Sequence, residues 1–522
     1  MEIEINMRTK NSLKNMYIGI ATQIIITILG FVSRKVLFDS LGDSYLGVNG
    51  VLTNVLSMLS LVEGGIGVSI VYNLYKPLAE DDKEKIIALV QLYKRLYSIL
   101  CVLVFLLSLA IYPFLGVLMK DNDTISHLTL VYFIFVARNI ISYFNAHKWS
   151  LINADQKGYV LARVNLAFNI ATTISKIIVL LLTNNYVLFL IIDLIIYIIQ
   201  NIYNGSIVNK RYPYVNTKVR YKVDSKIKEN LITNVKALFF HNIGKFCVFS
   251  TDNLLISSFI GLKVAGRYSN YTMIMGQLSA LVNPILGSIN AGVGNLVATE
   301  SKEKTYEVFK ITYFINFWIF SWCCIFLYNL LEPFIEWWME KGMLLDKFTF
   351  IVILINFYIS GLRTSIGLFK DKAGIFKEDK YVPLIEALVN LVVSITLVKH
   401  LGLVGIFIGT TISTVCFPLW NQPRLVYKKL FKKPLYKYFK TYFIYALVTI
   451  ITAIITTVSC NYFVSGSGFI SMIFKGIICV IIPNILFVII FYKSKEFAYV
   501  KSLIKTIIIN FFGKFILTKE IV

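Results

Sequence analysis

The chain has little charge and few of the residues that usually carry catalysis or bind metals. Charged residues make up 16% of its 522 positions, against about 25% in an average soluble domain. It has four histidines, and none of its seven cysteines forms a CxxC pair or lies at ligand spacing from a histidine. These absences argue against a soluble enzyme, a metal centre and a disulfide scaffold, and they predict that the cysteines are small core residues.

Nucleotide-binding signatures are missing as well. The hydrophilic loops contain no P-loop, no Asp-rich metal motif and no dinucleotide fingerprint, and such motifs are what hold phosphates and Mg²⁺ in ATP-hydrolysing proteins. The sequence therefore predicts a protein that is not an enzyme and that has no cofactor.

What the chain does have is apolar sequence in long runs. Hydrophobic residues make up 57% of it, and a membrane-spanning helix needs about 20 predominantly apolar residues. Fourteen segments of spanning length are found, at 16–37, 46–72, 96–119, 127–144, 159–182, 187–208, 236–260, 268–298, 309–331, 348–369, 381–399, 403–420, 441–460 and 468–492. The predicted fold class is an all-α polytopic membrane protein with about 14 transmembrane helices.

Lysine and arginine are distributed unequally between alternate connections. The even-numbered loops and both termini hold 38 of the 52 basic residues, and the odd-numbered loops hold six. Because cytoplasmic loops carry the excess of Lys and Arg, both termini are predicted to be cytoplasmic. The net charge of +23 is then mainly a topology signal, and its expected partner is anionic membrane lipid, with no role for nucleic acid.

The two most basic loops divide the chain into predicted domains. These are an N-lobe with segments 1–6 (1–209), a basic cytoplasmic linker (210–235), a C-lobe with segments 7–12 (236–420), a basic cytoplasmic loop (421–440), segments 13 and 14 (441–492) and a cytoplasmic tail (493–522). The tail alternates lysines with Ile, Leu and Phe, as an amphipathic helix in the membrane interface does.

An internal repeat supports the two lobes. With a shift of 219 residues, Leu41-Gly42 falls on Ile260-Gly261 and Gly47 falls on Gly266. Thr53, Ser60 and the Lys-Glu-Lys at 83–85 also find identical partners without a gap. Since the shift covers six segments, both copies have the same orientation, and we expect a parallel repeat about an axis along the membrane normal.

Polar residues form stripes on two of the segments that the repeat equates. Asn49 and Thr53 lie on one face of segment 2, and Asn283 and Asn290 lie on the matching face of segment 8. Two interpretations fit equally well. The stripes could let helices pack closely through small residues, or they could line a polar cavity that holds substrate.

Basic residues lie inside the apolar segments in excess over acidic ones. The candidates for substrate binding are Arg34, Arg138, Lys176, Lys245 and Arg363. Each charge deep in a membrane costs about 2.5–3.5 kcal/mol, so such residues usually face a partner or a water-filled cavity. The excess favours an anionic substrate, and a structural ion-pair network is the alternative.

The acidic residues of the segments are Glu63, Asp193, Asp252 and Glu386. Glu63 and Asp252 are the candidates for ion coupling if transport is driven by a cation.

The amino-acid sequence around segments 1 to 3 resembles that of a known family. Arg34 and the stretches LGDSYLGVNG (41–50), LVEGGIG (61–67) and LYKPLAEDDKEKI (74–86) are similar to the polysaccharide-transporter branch of the multidrug/oligosaccharidyl-lipid/polysaccharide exporter superfamily. The Wzx-type O-antigen and capsule repeat-unit flippases belong to this branch. The resemblance in topology covers essentially the whole chain. The resemblance in sequence is strongest over residues 30–100.

The resemblance implies two six-helix lobes around a central cationic cavity. The cargo would be an undecaprenyl-pyrophosphate-linked oligosaccharide, moved from the inner to the outer leaflet of the bacterial cytoplasmic membrane, with a polysaccharide polymerase and a chain-length regulator as further partners. Arg34 matches the arginine that the family places in its first helix, and Glu63 lies in the family's E-x-G-I-G stretch. Segments 13 and 14 exceed the twelve-helix core, and in lipid II flippases such a pair serves the lipid tail.

Two other functions compete with this one. A cation-coupled drug exporter of the same superfamily would need acidic residues to dominate the cavity, and here basic residues do. A repeat-unit polymerase typically needs a sizeable outer loop, whereas the longest predicted one, 332–347, has 16 residues. Its Glu336 and Glu340 flank tryptophans that are typical of an interfacial belt.

Overall fold

The computed structural model describes most of the chain. It gives the backbone of residues 2–63, 66–120, 125–223, 229, 251–340, 342–375, 378–379, 381–466, 468–502 and 505, and the side chains of these residues except 2–21, 68–69, 283–292, 295 and 298. Contacts divide the chain into two compact units, unit 1 (Met1–Ser269) and unit 2 (Asn270–Val522). The lobe boundaries predicted above remain predictions.

Unit 1 is built from long helices joined by shorter ones. They are α1 (Glu2–Leu41), α2 (Asp43–Ser60), α3 (Ile66–Ala79), α4 (Lys83–Ile111), α5 (Leu115–Leu118), α6 (Leu128–Phe144), α7 (Ala146–Ala154), α8 (Gly158–Thr183), α9 (Tyr186–Arg211), α10 (Thr251–Phe259) and the start of α11 (Leu262–Thr299). A 3₁₀ turn, Leu61–Glu63, follows α2, so the predicted segment 46–72 is broken in its middle. α6 and α7 meet at a bend of 46°.

The core of unit 1 lies where α3, α4 and α7 pack together. Ile70, Leu74, Tyr93 and Leu151 are fully buried there. Between helices in a membrane, van der Waals contacts of such closely packed side chains hold the helices together. This core fixes the relative positions of α3 and α7, which matters for the cavity described below.

Unit 2 holds the remaining helices. They are the rest of α11, α12 (Lys302–Met339), α13 (Lys347–Lys372), α14 (Val382–Leu401), α15 (Leu403–Cys416), α16 (Pro418–Val426), α17 (Tyr436–Phe463) and α18 (Phe469–Phe491). Its core is aromatic, and the rings of Phe317 and Tyr445 stack with centroids 4.1 Å apart. Asn316 donates 2.7 Å to the carbonyl of Gly361, which ties α12 to α13 inside this core.

Every regular element of the described residues is helical. Ten of these helices are long and apolar enough to cross a membrane, or eleven if α6 and α7 form one span. The described part of the chain is therefore a multi-pass helical bundle, as predicted, while the count of fourteen spans and the cytoplasmic termini remain predictions.

Local structure agrees with the repeat at a shift of 219 residues. Gly42 and Gly261, which the repeat equates, both have a positive φ, of 86° and 134°, just before α2 and α11. The caps of α4 and α12 are also equivalent, because Asp82 accepts the Lys85 N–H at 3.0 Å and Ser301 accepts the Lys304 N–H at 3.3 Å. Equivalent turns and caps are what two copies of one ancestral unit would retain.

The starts of α2 and α11 cross at two glycines that the repeat equates. A methyl group at Gly47 would overlap the carbonyl oxygen of Leu262, and one at Gly266 would overlap the carbonyl oxygen of Asp43. Leu262 and Asp43 are themselves 219 residues apart. The contact is thus made by the same positions of each copy.

A buried ion pair near the end of α13 gives a prediction on stability. Lys370 and Asp379 are paired with side chains 5% and 3% exposed, and Asn421 donates to the same carboxylate at 2.7 Å. We expect Lys370→Met to lower the free energy of unfolding by about 3–5 kcal/mol, because it leaves Asp379 charged and buried. The thermal unfolding temperature of the purified protein measures this.

Lys304→Met is the matched control for that substitution. Lys304 pairs with Glu300 at 2.7 Å, but the two side chains are 56% and 39% exposed, and such exposed pairs contribute less than about 1 kcal/mol. Equal losses of stability in the two variants would contradict the assignment of Lys370 as a structural residue.

Candidate functional site

Three helices of unit 1 bring charged side chains together. α8 and α9 form an antiparallel hairpin, in which the side chain of Asn185 caps α9. Lys176 lies seven residues before Thr183, the last residue of α8, and Asp193 lies seven residues after Tyr186, the first residue of α9. At 1.5 Å per residue both are about 10 Å from the hairpin loop, so they lie at the same depth.

Arg138 of α6 completes this group, here called the cationic cluster (Arg138, Lys176 and Asp193). The Nε of Arg138 is 2.6 Å from Oδ2 of Asp193, and Nζ of Lys176 is 3.0 Å from Oδ1. Two cations therefore share one carboxylate, and the cluster carries a net charge of +1. Asp193 orients both cations, since each of its oxygens accepts from one of them.

An aromatic ring lies close to each of the two cations. The guanidinium carbon of Arg138 lies 4.8 Å from the ring centroid of Tyr197, and Nζ of Lys176 lies 4.2 Å from that of Phe189. The side chain of Arg138 is 50% exposed, against 19% for Lys176. The excess positive charge is thus presented mainly by Arg138, whose guanidinium can still reach an anion.

The polar stripe on α2 faces open space. Thr53 and Ser57 are exposed although α2 is long and apolar enough to span a membrane, and Asn49 is half-buried. The hydroxyls of Thr53 and Ser57 donate to carbonyls one turn back, at 2.6 and 2.8 Å, so the helix itself satisfies them. Of the two interpretations offered by the sequence, this exposure favours a cavity lining over close packing.

Arg34 lies at the glycine crossing. Its guanidinium donates to the hydroxyl of Ser269 and, at 3.5 Å, to the carbonyl of Gly266. The arginine predicted to bind substrate therefore ties α1 to the start of α11.

Arg363 has a carboxylate close by in unit 2. Its Nη1 lies 3.6 Å from Oε1 of Glu386, and the two side chains are 15% and 8% exposed. A cation paired with one buried acid fits the alternative interpretation, a structural ion pair. Arg363 is therefore a weaker candidate for substrate binding than Arg138.

The two acidic residues proposed for ion coupling, Glu63 and Asp252, lie in different surroundings. Glu63 accepts a hydrogen bond of 3.0 Å from the hydroxyl of Tyr97, and it lines a cavity in unit 1. Asp252 on α10 is buried, at 6% exposure. Lys245 and the side chains of Asn283 and Asn290 lie outside the described residues, so their roles remain predictions.

Sequence reasoning missed how the cluster is assembled. It named Arg138, Lys176 and Asp193 but did not pair them, and it did not single out Tyr197. Two signals could have found the arrangement. Lys176 and Asp193 are equidistant from a two-residue turn, and Asp193 and Tyr197 are four residues apart, hence on one face of a helix.

Comparison with known proteins identifies the fold. No protein-family model and no curated protein matches the sequence, but solved structures do. The lipid II flippase MurJ in an inward closed conformation superposes with a TM-score of 0.65 and 16% identity, covering 91% of this chain and 99% of that chain. An inward-facing MATE family transporter of the MOP superfamily gives 0.53 and 13%, covering 77% and 94%.

A third match points the same way. The MATE transporter VcmN from Vibrio cholerae superposes with a TM-score of 0.56 and 12% identity, covering 82% of this chain and 99% of that chain. At such identities a match shows the fold alone, and all three share one fold. The predicted resemblance is confirmed at the level of the fold: the chain is a multi-pass helical membrane protein with the fold that the lipid II flippase and MATE transporter structures share.

Proposed function

We propose that the protein is a flippase for undecaprenyl-pyrophosphate-linked oligosaccharides. It would move these repeat units from the inner to the outer leaflet of the bacterial cytoplasmic membrane for the synthesis of capsule, O-antigen or exopolysaccharide. The observation that carries the proposal is the cationic cluster, in which Arg138 and Lys176 share the single carboxylate of Asp193.

A pyrophosphate suits this cluster better than a cationic drug would. The cluster has net charge +1 and presents a half-exposed guanidinium, whose planar fork of donors matches phosphate oxygens in a bidentate manner. Tyr197 holds the guanidinium from one side, so the arginine is ordered before the ligand arrives. A cationic substrate would meet the same charge as repulsion.

The sugar part of the cargo needs a polar route. Hydroxyl groups cannot enter a hydrocarbon core of about 30 Å without losing their hydrogen bonds to water. The exposed side of α2, with Thr53 and Ser57, offers substitute partners inside unit 1. Rocking of the two repeats around the bound headgroup would then give alternating access.

The polyprenyl tail can remain in an apolar environment. Unit 2 contains a cavity of about 660 Å³ between α12, α13 and α17, lined by apolar residues that include Ile325, Ile355, Ile450 and Ile454. α17 and α18 correspond to the predicted segments 13 and 14, the pair whose counterpart in lipid II flippases serves the lipid tail. The match to the lipid II flippase covers 91% of this chain and the MATE matches cover 77% and 82%, as expected if this pair has a counterpart in the flippase.

Depletion of the protein tests the proposal. Lipid-linked oligosaccharides are expected to accumulate on the cytoplasmic face, where a membrane-impermeant lectin reaches them only after cell lysis. A polysaccharide polymerase with its chain-length regulator would consume the flipped product, so polymer should fall in parallel. Complementation with the full chain should restore both.

The other outcomes are distinguishable. Intermediates that reach the outer face at the normal rate contradict a flippase. Unpolymerised units that pile up on the outer face would instead assign the chain to polymerisation. Unchanged lipid-linked sugars, together with greater sensitivity to organic cations, would assign it to drug export.

A further inference from the structure

A second cavity opens in unit 1 between α2, α3, α4 and α7. Its volume is about 880 Å³, within the range of roughly 300–1,000 Å³ found for small-molecule sites. None of its lining residues belongs to the cationic cluster. In the predicted topology α3 and α7 lie at the cytoplasmic side of the membrane, which is the side from which a lipid-linked sugar would enter.

Aromatic side chains line one part of this cavity. Tyr72 and Tyr75 are three residues apart on α3, so they share a face, and they are 70% and 49% exposed. Trp149 of α7 is half-buried and lines the same cavity. Exposed aromatic rings that converge on a concave site are costly in water and are typical of surfaces that bind a ligand.

Hydrogen-bonding groups line the other part. Ser57 and Ser60 belong to the polar stripe of α2, and Asn153 of α7 is exposed. Glu63 is held in place by the hydroxyl of Tyr97 at 3.0 Å and by the backbone N–H of Gly67. The cavity thus combines fixed acceptors and donors with aromatic faces.

We propose that this cavity is the subsite for the sugar residues of the cargo. The proposal rests on the function proposed above and names the part of the molecule that selects the oligosaccharide. A pyranose has a face of C–H groups, which packs on aromatic rings, and a rim of hydroxyls, which donate to carboxylates and exchange hydrogen bonds with serine and asparagine. Tyr72, Tyr75 and Trp149 supply the first kind of contact, and Glu63 and Asn153 supply the second.

This subsite and the cationic cluster present charges of opposite sign to the ligand. The carboxylate of Glu63 repels a pyrophosphate, so the phosphates are directed to Arg138 and the neutral sugar to the aromatic cavity. Glu63, predicted from the sequence to couple an ion, here acts as an oriented acceptor for sugar hydroxyls. Tyr97 and Gly67 already occupy part of the acceptor capacity of Glu63, which suits a hydroxyl better than an organic cation.

Direct binding to the purified full-length protein tests the subsite. The probes are lipid-linked oligosaccharide extracted from the host, the free oligosaccharide released from it by mild acid, and undecaprenyl pyrophosphate. Trp149→Ala and Tyr75→Ala should each weaken binding of the free oligosaccharide about tenfold and leave binding of undecaprenyl pyrophosphate unchanged. Trp149→Phe, which keeps an aromatic face, should recover most of the affinity.

Tyr203→Ala is the matched control, because Tyr203 is 53% exposed, close to the 49% of Tyr75, but lies on α9 outside the cavity. The subsite is overturned if the free oligosaccharide does not bind the wild type, or if it binds the wild type and Trp149→Ala equally. In that case, binding of undecaprenyl pyrophosphate would still support the proposed flippase. Failure of all three probes overturns both proposals. Binding of tetraphenylphosphonium that Glu63→Gln abolishes would assign the cavity to an organic cation instead.

Discussion

Arg138→Gln is expected to stop transport while the protein still accumulates in the membrane. The substitution leaves Lys176 and Asp193 as a neutral pair at 3.0 Å, so the cluster loses its net positive charge without leaving a buried acid unpaired. Hydrogen bonds to charged groups contribute about 1.5–3 kcal/mol each, and loss of the guanidinium should therefore weaken pyrophosphate binding roughly 10- to 100-fold. The sidedness of lipid-linked oligosaccharides in complemented cells measures the effect on transport.

Two further variants make the Arg138 result specific. Arg138→Lys keeps the charge but loses the planar fork and the stacking on Tyr197, so partial activity is expected. Arg163→Gln removes an exposed arginine from the start of α8 and should transport normally. Full transport by Arg138→Gln, or equal losses in Arg138→Gln and Arg163→Gln, would contradict the role of the cluster.

The fold could be predicted from the sequence because a membrane leaves few choices. Backbone groups in a bilayer must be satisfied within helices or closed barrels, so long apolar runs such as 187–208, which lies in α9, are helices almost by necessity. What composition could not predict is where such a run breaks. The 3₁₀ turn at Leu61–Glu63 interrupts segment 46–72, and it lies against α4, a tertiary contact that hydropathy does not record.

The candidate site was predictable only in part. A charge inside an apolar segment costs free energy and therefore marks a residue that needs a partner. By this argument the sequence indicated Arg138, Lys176 and Asp193. It does not say which of them meet, because partners on α6 are set by tertiary packing. The same argument named Arg34 without showing its contacts, which are the hydroxyl of Ser269 and the carbonyl of Gly266, and its role in substrate binding stays a prediction.

The aromatic cavity shows the limit of an argument from charge. Tyr72, Tyr75 and Trp149 are neutral residues in a chain with 31 tyrosines and 6 tryptophans, so composition does not mark them. They become a site only because α3 and α7 pack together and expose them on one concave surface. The aromatic cavity can therefore be found in the structure, whereas the composition of the sequence does not mark it.

The crossing of α2 and α11 gives the last prediction. Gly47→Ala and Gly266→Ala should each destabilise the protein by about 1–3 kcal/mol, because each new methyl group meets a carbonyl oxygen of the opposite backbone and neither backbone can yield without separating the helices. By the predicted topology these are the outer ends of the helices. Their separation should also reduce transport. Thermal unfolding of the purified variants and the sidedness assay measure the two effects.

Gly50→Ala and Gly276→Ala are the controls for these two glycines. A methyl group at Gly50 would lie 3.5 Å from the Cβ of Ser269, an ordinary contact, and one at Gly276 would meet no described atom within 4 Å. Since alanine favours helix over glycine by about 1 kcal/mol, these variants should be neutral or slightly more stable.

The double variant of Gly47 and Gly266 separates a shared crossing from two independent sites. A methyl at Gly47 would lie 3.3 Å from the Gly266 nitrogen, and one at Gly266 would lie 3.1 Å from the Gly47 nitrogen, so both methyl groups force the same helices apart. Once one alanine has separated them, the second meets less resistance, and the double variant should lose clearly less than the sum of the single losses. Additive losses would mean that the two glycines act separately. Neutral single variants would mean that the crossing does not hold the helices together.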